Sequence, residues 1–171
     1  MNERLARMAR SAQLLGQQMT DGSIVRGVLR NHEDDIMEQQ HIQLLEGKGS
    51  DGNDLRPFYT EDVKPHGYFN DQQSASNYMA WKQSLSYPYT VGRNPNAPNL
   101  YINGRFYSEM EVRFEAETLG IYPTSGFASE IMAKYGLHRF GLSAMKWQVM
   151  MGEKGVKDEI QNEMRKLLYG N

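Results

Sequence analysis

No cysteine occurs among the 171 residues. Disulfides, cysteine–zinc sites, iron–sulfur clusters and thiol nucleophiles are therefore excluded. Long apolar runs are missing too: none approaches the ~20 residues that a bilayer-crossing helix needs. The opening Met1-Asn2-Glu3-Arg4-Leu5-Ala6-Arg7 has no apolar core of the signal-peptide kind, so synthesis in the cytoplasm is expected. Excess charge of one sign is absent as well. Nineteen basic residues face 21 acidic ones, which leaves no bulk attraction for nucleic acid and no charge-driven disorder. Aliphatic residues are scarce. Leu, Ile, Val and Phe number 14, 7, 7 and 6, about a fifth of the chain, which is the lower edge for a self-sufficient core.

Methionine and tyrosine take their place, with 11 and 10 copies. Both are soft or amphipathic and suit protein–protein contacts. The length fits one domain. We expect a folded α+β domain over 23–171 that finishes burying its surface against partners, preceded by a basic arm over 1–22.

In that arm Arg4, Arg7 and Arg10 recur at three-residue spacing, opposite Leu5, Met8 and Ala12. The pattern fits a short basic amphipathic helix, and equally a frayed, solvated arm. Asp21-Gly22 breaks it. One helix is then expected from Ser23, as N-cap, to Glu46. Its stripe is Ile24, Val28, Leu29, His32, Ile36, Gln40 and Leu44, and Gly47 stops it.

Residues 48–103 form an irregular insert. Five of the six prolines lie in the stretch 47–103. A short helix is expected near 71–85, with loops elsewhere. Such a segment is usually a functional loop or a linker, and its aromatic content argues against a mere linker. Its aromatic residues, among them Tyr59, Tyr68, Phe69, Trp81, Tyr87, Tyr89 and Tyr101, need something to pack on. They either cover the domain's own helices or sit in a subunit interface.

Alternation of apolar and polar residues over 106–115 predicts a half-buried strand. A short return strand at Ile121-Tyr122 ends at Pro123, a helix capped near Ser125 stops at Gly136, and Ser143 opens a terminal helix weakened at Gly152 and Gly155.

Motifs for chemistry are incomplete. His32-Glu33 lacks the second histidine of a zinc-protease helix, since Ile36 stands there. The four histidines have no ligand spacing, and neither metal nor cofactor is expected. Gly47-Lys48-Gly49-Ser50 would need glycine at Ile42 and Ser or Thr at Gly49 to be a phosphate loop. Asp51-Gly52-Asn53-Asp54 reads as a tight turn, because the glycine of a calcium loop is misplaced. Glu109 and Glu111, two apart on the expected strand, would project from one face about 6.5–7 Å apart. That separation suits a carboxylate hydrolase, although the same residues make an ordinary solvated strand face.

Three patches in order resemble phage head–tail completion proteins. These are the small neck and tail-terminator components of the virion-morphogenesis type, with versions in Bacteroides phages including crAss-like ones. The first patch runs Leu45-Glu46-Gly47-Lys48 through Asp54-Leu55-Arg56-Pro57-Phe58-Tyr59. The second is Pro98-Asn99-Leu100-Tyr101-Ile102-Asn103-Gly104-Arg105-Phe106-Tyr107, with Asn103 where Thr is commoner. The third joins Ala128 to Tyr135-Gly136 and Phe140-Gly141-Leu142. The resemblance spans roughly residues 24–150. It implies long helices packed on a small antiparallel sheet, and a ring of copies, six- or twelve-fold, below the portal. Such a ring joins capsid to tail beside other neck proteins and close to packaged DNA, without catalysis or membrane. Residence in the virion follows, with the host cytoplasm as the place of assembly. Gly104 would then make a tight turn or a close approach, and Arg105 and Arg113 inter-subunit ion pairs. The alternative is a small phage hydrolase acting on peptidoglycan through Glu109 and Glu111.

Overall fold

The computed structural model describes residues 2–85, 93–115 and 118–169, with side chains from residue 6 onward. Tyr87 and Tyr89, and the side chain of Arg4, lie outside the described residues. The chain is α+β. Helices α1 (Asn2–Thr20), α2 (Ser23–Asn31), α3 (Glu33–Leu45) and α4 (Gln72–Ser84) come first. A helical turn α5 (Arg105–Ser108) leads into strands β1 (Met110–Phe114) and β2 (Leu119–Pro123). Helices α6 (Ala128–Tyr135), α7 (Ala144–Met151) and α8 (Val156–Tyr169) close the chain.

The strand alternation holds from Met110 onward. Met110, Val112 and Phe114 are half-buried while Glu111 and Arg113 face solvent. β1 pairs antiparallel with β2, Val112 opposite Ile121 and Phe114 opposite Leu119. Residues 105–108, expected to belong to the strand, form α5 instead. Turn chemistry overrides the alternation here. Gly104 takes φ +82°, the left-handed region that glycine enters freely. The Asn103 side chain accepts the Arg105 N–H at 3.1 Å, and the Gly104 carbonyl accepts from Tyr107 and Ser108 at 3.0 Å each. A strand would turn one of the neighbours Phe106 and Tyr107 outward; the helical turn buries both.

The expected helix over 23–46 is two helices. His32, at φ −109° and ψ 20°, separates α2 from α3. Ser23 is not the N-cap: Gly22 occupies that position, and the Asp21 carboxylate accepts the Ser23 N–H at 2.9 Å. Gly47 does end α3. With φ +76° it lets its own N–H reach the Leu44 carbonyl (2.9 Å) and the Lys48 N–H reach that of Gln43 (3.0 Å). That pair of bonds is a Schellman close. Asp71 and Ser74 form a reciprocal capping box at the start of α4. Ser125 does not cap α6 with its side chain; its carbonyl accepts the Ala128 N–H at 2.9 Å. The terminal helix breaks as expected, between Gly152 and Gly155.

Three apolar clusters hold these elements. Val28, Leu29, Ile36, Ile121, Met150 and Val156 join α2, α3, β2, α7 and α8. Leu44, Leu45, Leu55, Phe106, Tyr107 and Phe140 form the second. Met110 packs against both. Tyr59, Phe69 and Ala75 form the third, inside the Pro-rich stretch. Each fully buried large side chain contributes about 1.5–3 kcal/mol.

A polar seam runs through the interior. Gln43 accepts the Ser143 N–H (2.8 Å) and donates to the Gly141 carbonyl (2.8 Å), while Gln40 accepts the Gly141 N–H (2.9 Å). These glutamines, one turn apart on α3, satisfy connector backbone that would otherwise be buried without partners.

The stretch expected as a basic arm is α1, lying against α8 and α2. None of its described side chains is fully buried. Among the described residues no helix is long and apolar enough to cross a membrane.

Candidate functional site

A cavity of about 240 Å³ opens between α4, α6 and the segment 98–102. Helix α4 contributes Tyr78 and Lys82, one turn apart, and α6 contributes Ile131, Lys134 and Tyr135. Pro98, Leu100 and Ile102 make the third wall, with Tyr59 beside them.

That third wall is held from three directions. The Tyr107 hydroxyl donates to the Asn99 carbonyl. The Asn99 side chain accepts the Tyr101 N–H at 3.2 Å. Lys82 Nζ donates to the Tyr101 carbonyl. Between these ties Leu100 adopts φ +56°. Left-handed backbone costs a β-carbon-bearing residue roughly 1–2 kcal/mol. Such strain persists only where surrounding contacts over-determine it, and it concentrates at working surfaces.

Lys82 is 2% exposed. Burial pushes its ammonium down to about 7, and the positive charge of Arg93 pushes the same way. Near neutral pH this amine can take up or give up a proton, which ordinary lysines do not do. Lys134 at the mouth pairs with Asp62 and lies 5.8 Å from the ring centroids of both Tyr68 and Tyr135. Burial drives the Tyr135 phenol above its ordinary range, with Tyr59, Asp62 and Tyr78 adding to the shift.

Aromatic rings continue outward from the cavity. Tyr78 stacks near Tyr59 (5.3 Å), Phe69 (5.2 Å) and Trp81 (5.3 Å). Tyr68 meets Phe69 edge-on at 5.2 Å. The ladder runs from buried to solvated: Tyr59 and Phe69 are 7% exposed, whereas Trp81 is 45%, Ile102 56% and Tyr68 75% exposed. The site is thus a concave, aromatic-walled patch with a buried amine at its wall and a wet apolar rim.

The residues singled out from the sequence divide accordingly. Tyr59 and Phe69 pack within the chain, and Tyr101 is half-buried in the cluster below the cavity. Tyr68 and Trp81 are on the rim. Gly104 makes the tight turn that opens α5, beneath the Tyr101 ring. Arg105 and Arg113 are exposed and pair within the chain, with Glu109 (2.8 Å) and Glu111. Arg7 and Arg10 face solvent on α1.

Sequence reasoning did not single out Lys82, Lys134, Tyr135, Ile102 or Asp62. A signal existed in part: Lys82 falls on the α4 stripe of Ala75, Tyr78 and Met79, where a lysine is out of place.

The same-face argument for Glu109 and Glu111 fails. Glu109, at φ −106° and ψ 37°, ends α5 and precedes the strand. Among the described residues no group of three or more metal-ligating side chains is assembled.

All three resemblance patches meet in the second apolar cluster. Leu45 and Leu55 come from the first, Leu100, Tyr101, Phe106 and Tyr107 from the second, and Ile131, Met132, Tyr135 and Phe140 from the third. The turn over 47–54 is tied to the connector between the two halves of the third patch, since Ser50 N–H donates to the Arg139 carbonyl at 3.0 Å and Asp51 pairs with Arg139. No known protein family, curated protein or solved structure matches the chain.

Proposed function

We propose that this protein is a structural component of the phage head-to-tail connector, acting as a ring of copies that joins portal and capsid to the tail. The observation that carries the proposal is the exposed apolar rim, Tyr68, Trp81 and Ile102, around a preformed aromatic cavity. Exposed aromatic residues beside a concave apolar patch mark interaction surfaces. Further large apolar side chains stand in solvent elsewhere: Phe127 at the start of α6, Met145 on α7, and Met8, Leu14 and Met19 on α1. A cyclic ring needs two different faces per copy. The cavity face supplies one, and α1, with Arg7 and Arg10 outward, the other. Ordered residence in a virion, beside the portal and other neck proteins, follows from the resemblance of the patches that build the cavity wall. No catalytic step belongs to this function.

The test has two parts. Native mass spectrometry of the whole chain should give a closed oligomer, and Trp81→Ser together with Tyr68→Ser should shift it to monomer without unfolding it. Peptide mapping of purified virions should contain the protein. A monomer at all concentrations, combined with absence from virions, overturns the proposal.

A further inference from the structure

We propose that His32 is a proton-operated clasp that holds α8, and α1 resting on it, to the junction of α2 and α3. The inference stands apart from the neck assignment and uses none of the cavity residues. His32 sits at the break between the two helices. Its Nδ1 lies 2.8 Å from Asp35 Oδ2 on α3, and its Nε2 lies 3.0 Å from Glu159 Oε2 on α8. The imidazole is 13% exposed, largely shielded from water.

Both ring nitrogens therefore face carboxylates. A neutral imidazole carries one N–H, and its other nitrogen presents a lone pair. Only the imidazolium can donate to both acids at once. Deprotonation leaves one carboxylate opposed to a lone pair, and the contact with it opens or takes in water. The cations facing this pair of acids are Lys154, toward Asp35, and Lys166, toward Glu159. Lys154, just before α8, holds Asp35 from the far side (2.8 Å) and also Glu38 (2.6 Å). Lys154 and then His32 hold the Asp35 carboxyl below its usual range. Asn31 donates to the second oxygen of Glu159 at 2.7 Å, and this bond and His32 lower that carboxyl too. Both acids thus stay ionised through neutral pH. The hydrogen bond to Asp35, joined by that to Glu159, outweighs the opposing effect of burial and raises the His32 imidazolium above its ordinary value.

The sign follows. A raised folded value means that the clasp is fully closed below the unfolded histidine range, near pH 6.5, and opens as pH rises through the folded value. Val156 and Ile160 keep α8 on the core by apolar contact, so opening loosens α8 without detaching it. Helix α1, whose described side chains are at best half-buried and which lies along α8, follows that change.

The experiment is an NMR titration of the whole chain from pH 5.5 to 8.5, with amide exchange of α8 measured against α3 as internal reference. The expected result is a His32 midpoint above 6.5 and an α8 protection, relative to α3, that falls at least about threefold across it. Glu159→Gln should lower the midpoint and abolish the step, and Asp35→Asn should lower the midpoint independently. A midpoint at or below 6.5 overturns the clasp. So does an α8 protection that ignores the titration, or a step that persists in Glu159→Gln.

Discussion

Replacing Lys82 by methionine should make the protein more stable at neutral pH, and the gain should shrink as pH rises. The amine is 2% exposed and its folded value is near 7, against 10.5 for an ordinary lysine. The unfolded chain then binds more protons than the folded one between those limits, so this group makes stability rise with pH. Each unit is worth about 1.36 kcal/mol, so raising the pH from 7 to 9 should recover roughly 2 kcal/mol from Lys82 alone. Below pH 7 the burden of the buried charge reaches roughly 4–5 kcal/mol. Methionine keeps the length and the apolar stem but leaves the Tyr101 carbonyl without its Lys82 donor, a loss of about 1–3 kcal/mol. The balance at pH 7 favours the variant by about 1–3 kcal/mol. Urea unfolding of both chains at pH 6.5, 7.5 and 9 reads the difference as a midpoint shift on the order of 1 M at pH 6.5, decreasing at pH 9. Taking the difference between the chains cancels His32, which acts in the opposite direction in both. A variant less stable at pH 6.5, or a gap that does not change with pH, refutes the reasoning.

Other perturbations probe the scaffold and the rim. Gln43→Leu removes the partners of a buried carbonyl and a buried N–H on the 141–143 connector; a loss of about 2–4 kcal/mol is expected in urea unfolding. Gly104→Ala forces a β-carbon into φ +82° while meeting the Tyr101 ring only at an ordinary 3.5 Å, so the cost is in the backbone. Calorimetry should record about 1–2 kcal/mol of destabilisation. Trp81→Ser should weaken self-association at least about tenfold by analytical ultracentrifugation while leaving the urea midpoint nearly unchanged, because the ring is on the rim.

The sequence carried the helices where a stop residue and a stripe agreed. Gly47, Gly136 and the Gly152–Gly155 weak spot all fall where helices end. It failed at His32 because periodicity sees only where side chains lie. The stripe continues through the break, and the contact that His32 makes there reaches a carboxylate 127 positions away, which no local pattern records. It failed at 106–109 because Phe106, Ser108 and Met110 alternate as well as any strand, and the Asn103-Gly104 turn outweighed them. The cavity was half legible. Its aromatic residues stood out by type, but one wall comes from α6, whose Lys134 and Tyr135 arrive from outside the insert. Lys82 drew no attention because lysine is almost never fully buried, so a burial like this one has no signal by residue type.

The cavity wall would tie folding to the proposed assembly through one proton. If copies dock over the rim with apolar surface, they strip the remaining water from around Lys82 and lower its affinity for a proton further. Docking then expels a proton and tightens as pH rises toward about 7, levelling off above it. If the docking surface instead brings a carboxylate to the mouth, the ammonium is favoured, a proton is taken up, and association tightens as pH falls. The described side chains of α1, Arg7 and Arg10 among them, include no carboxylate, so contact through residues 6–20 predicts the first behaviour. Sedimentation of the wild type and of Lys82→Met between pH 5.5 and 8.5 separates the cases. An association constant that rises with pH in the wild type and is flat in the variant places α1 or a similar apolar face over the cavity. The opposite slope rejects α1 as the covering element, and identical profiles in both chains remove Lys82 and its cavity from the interface.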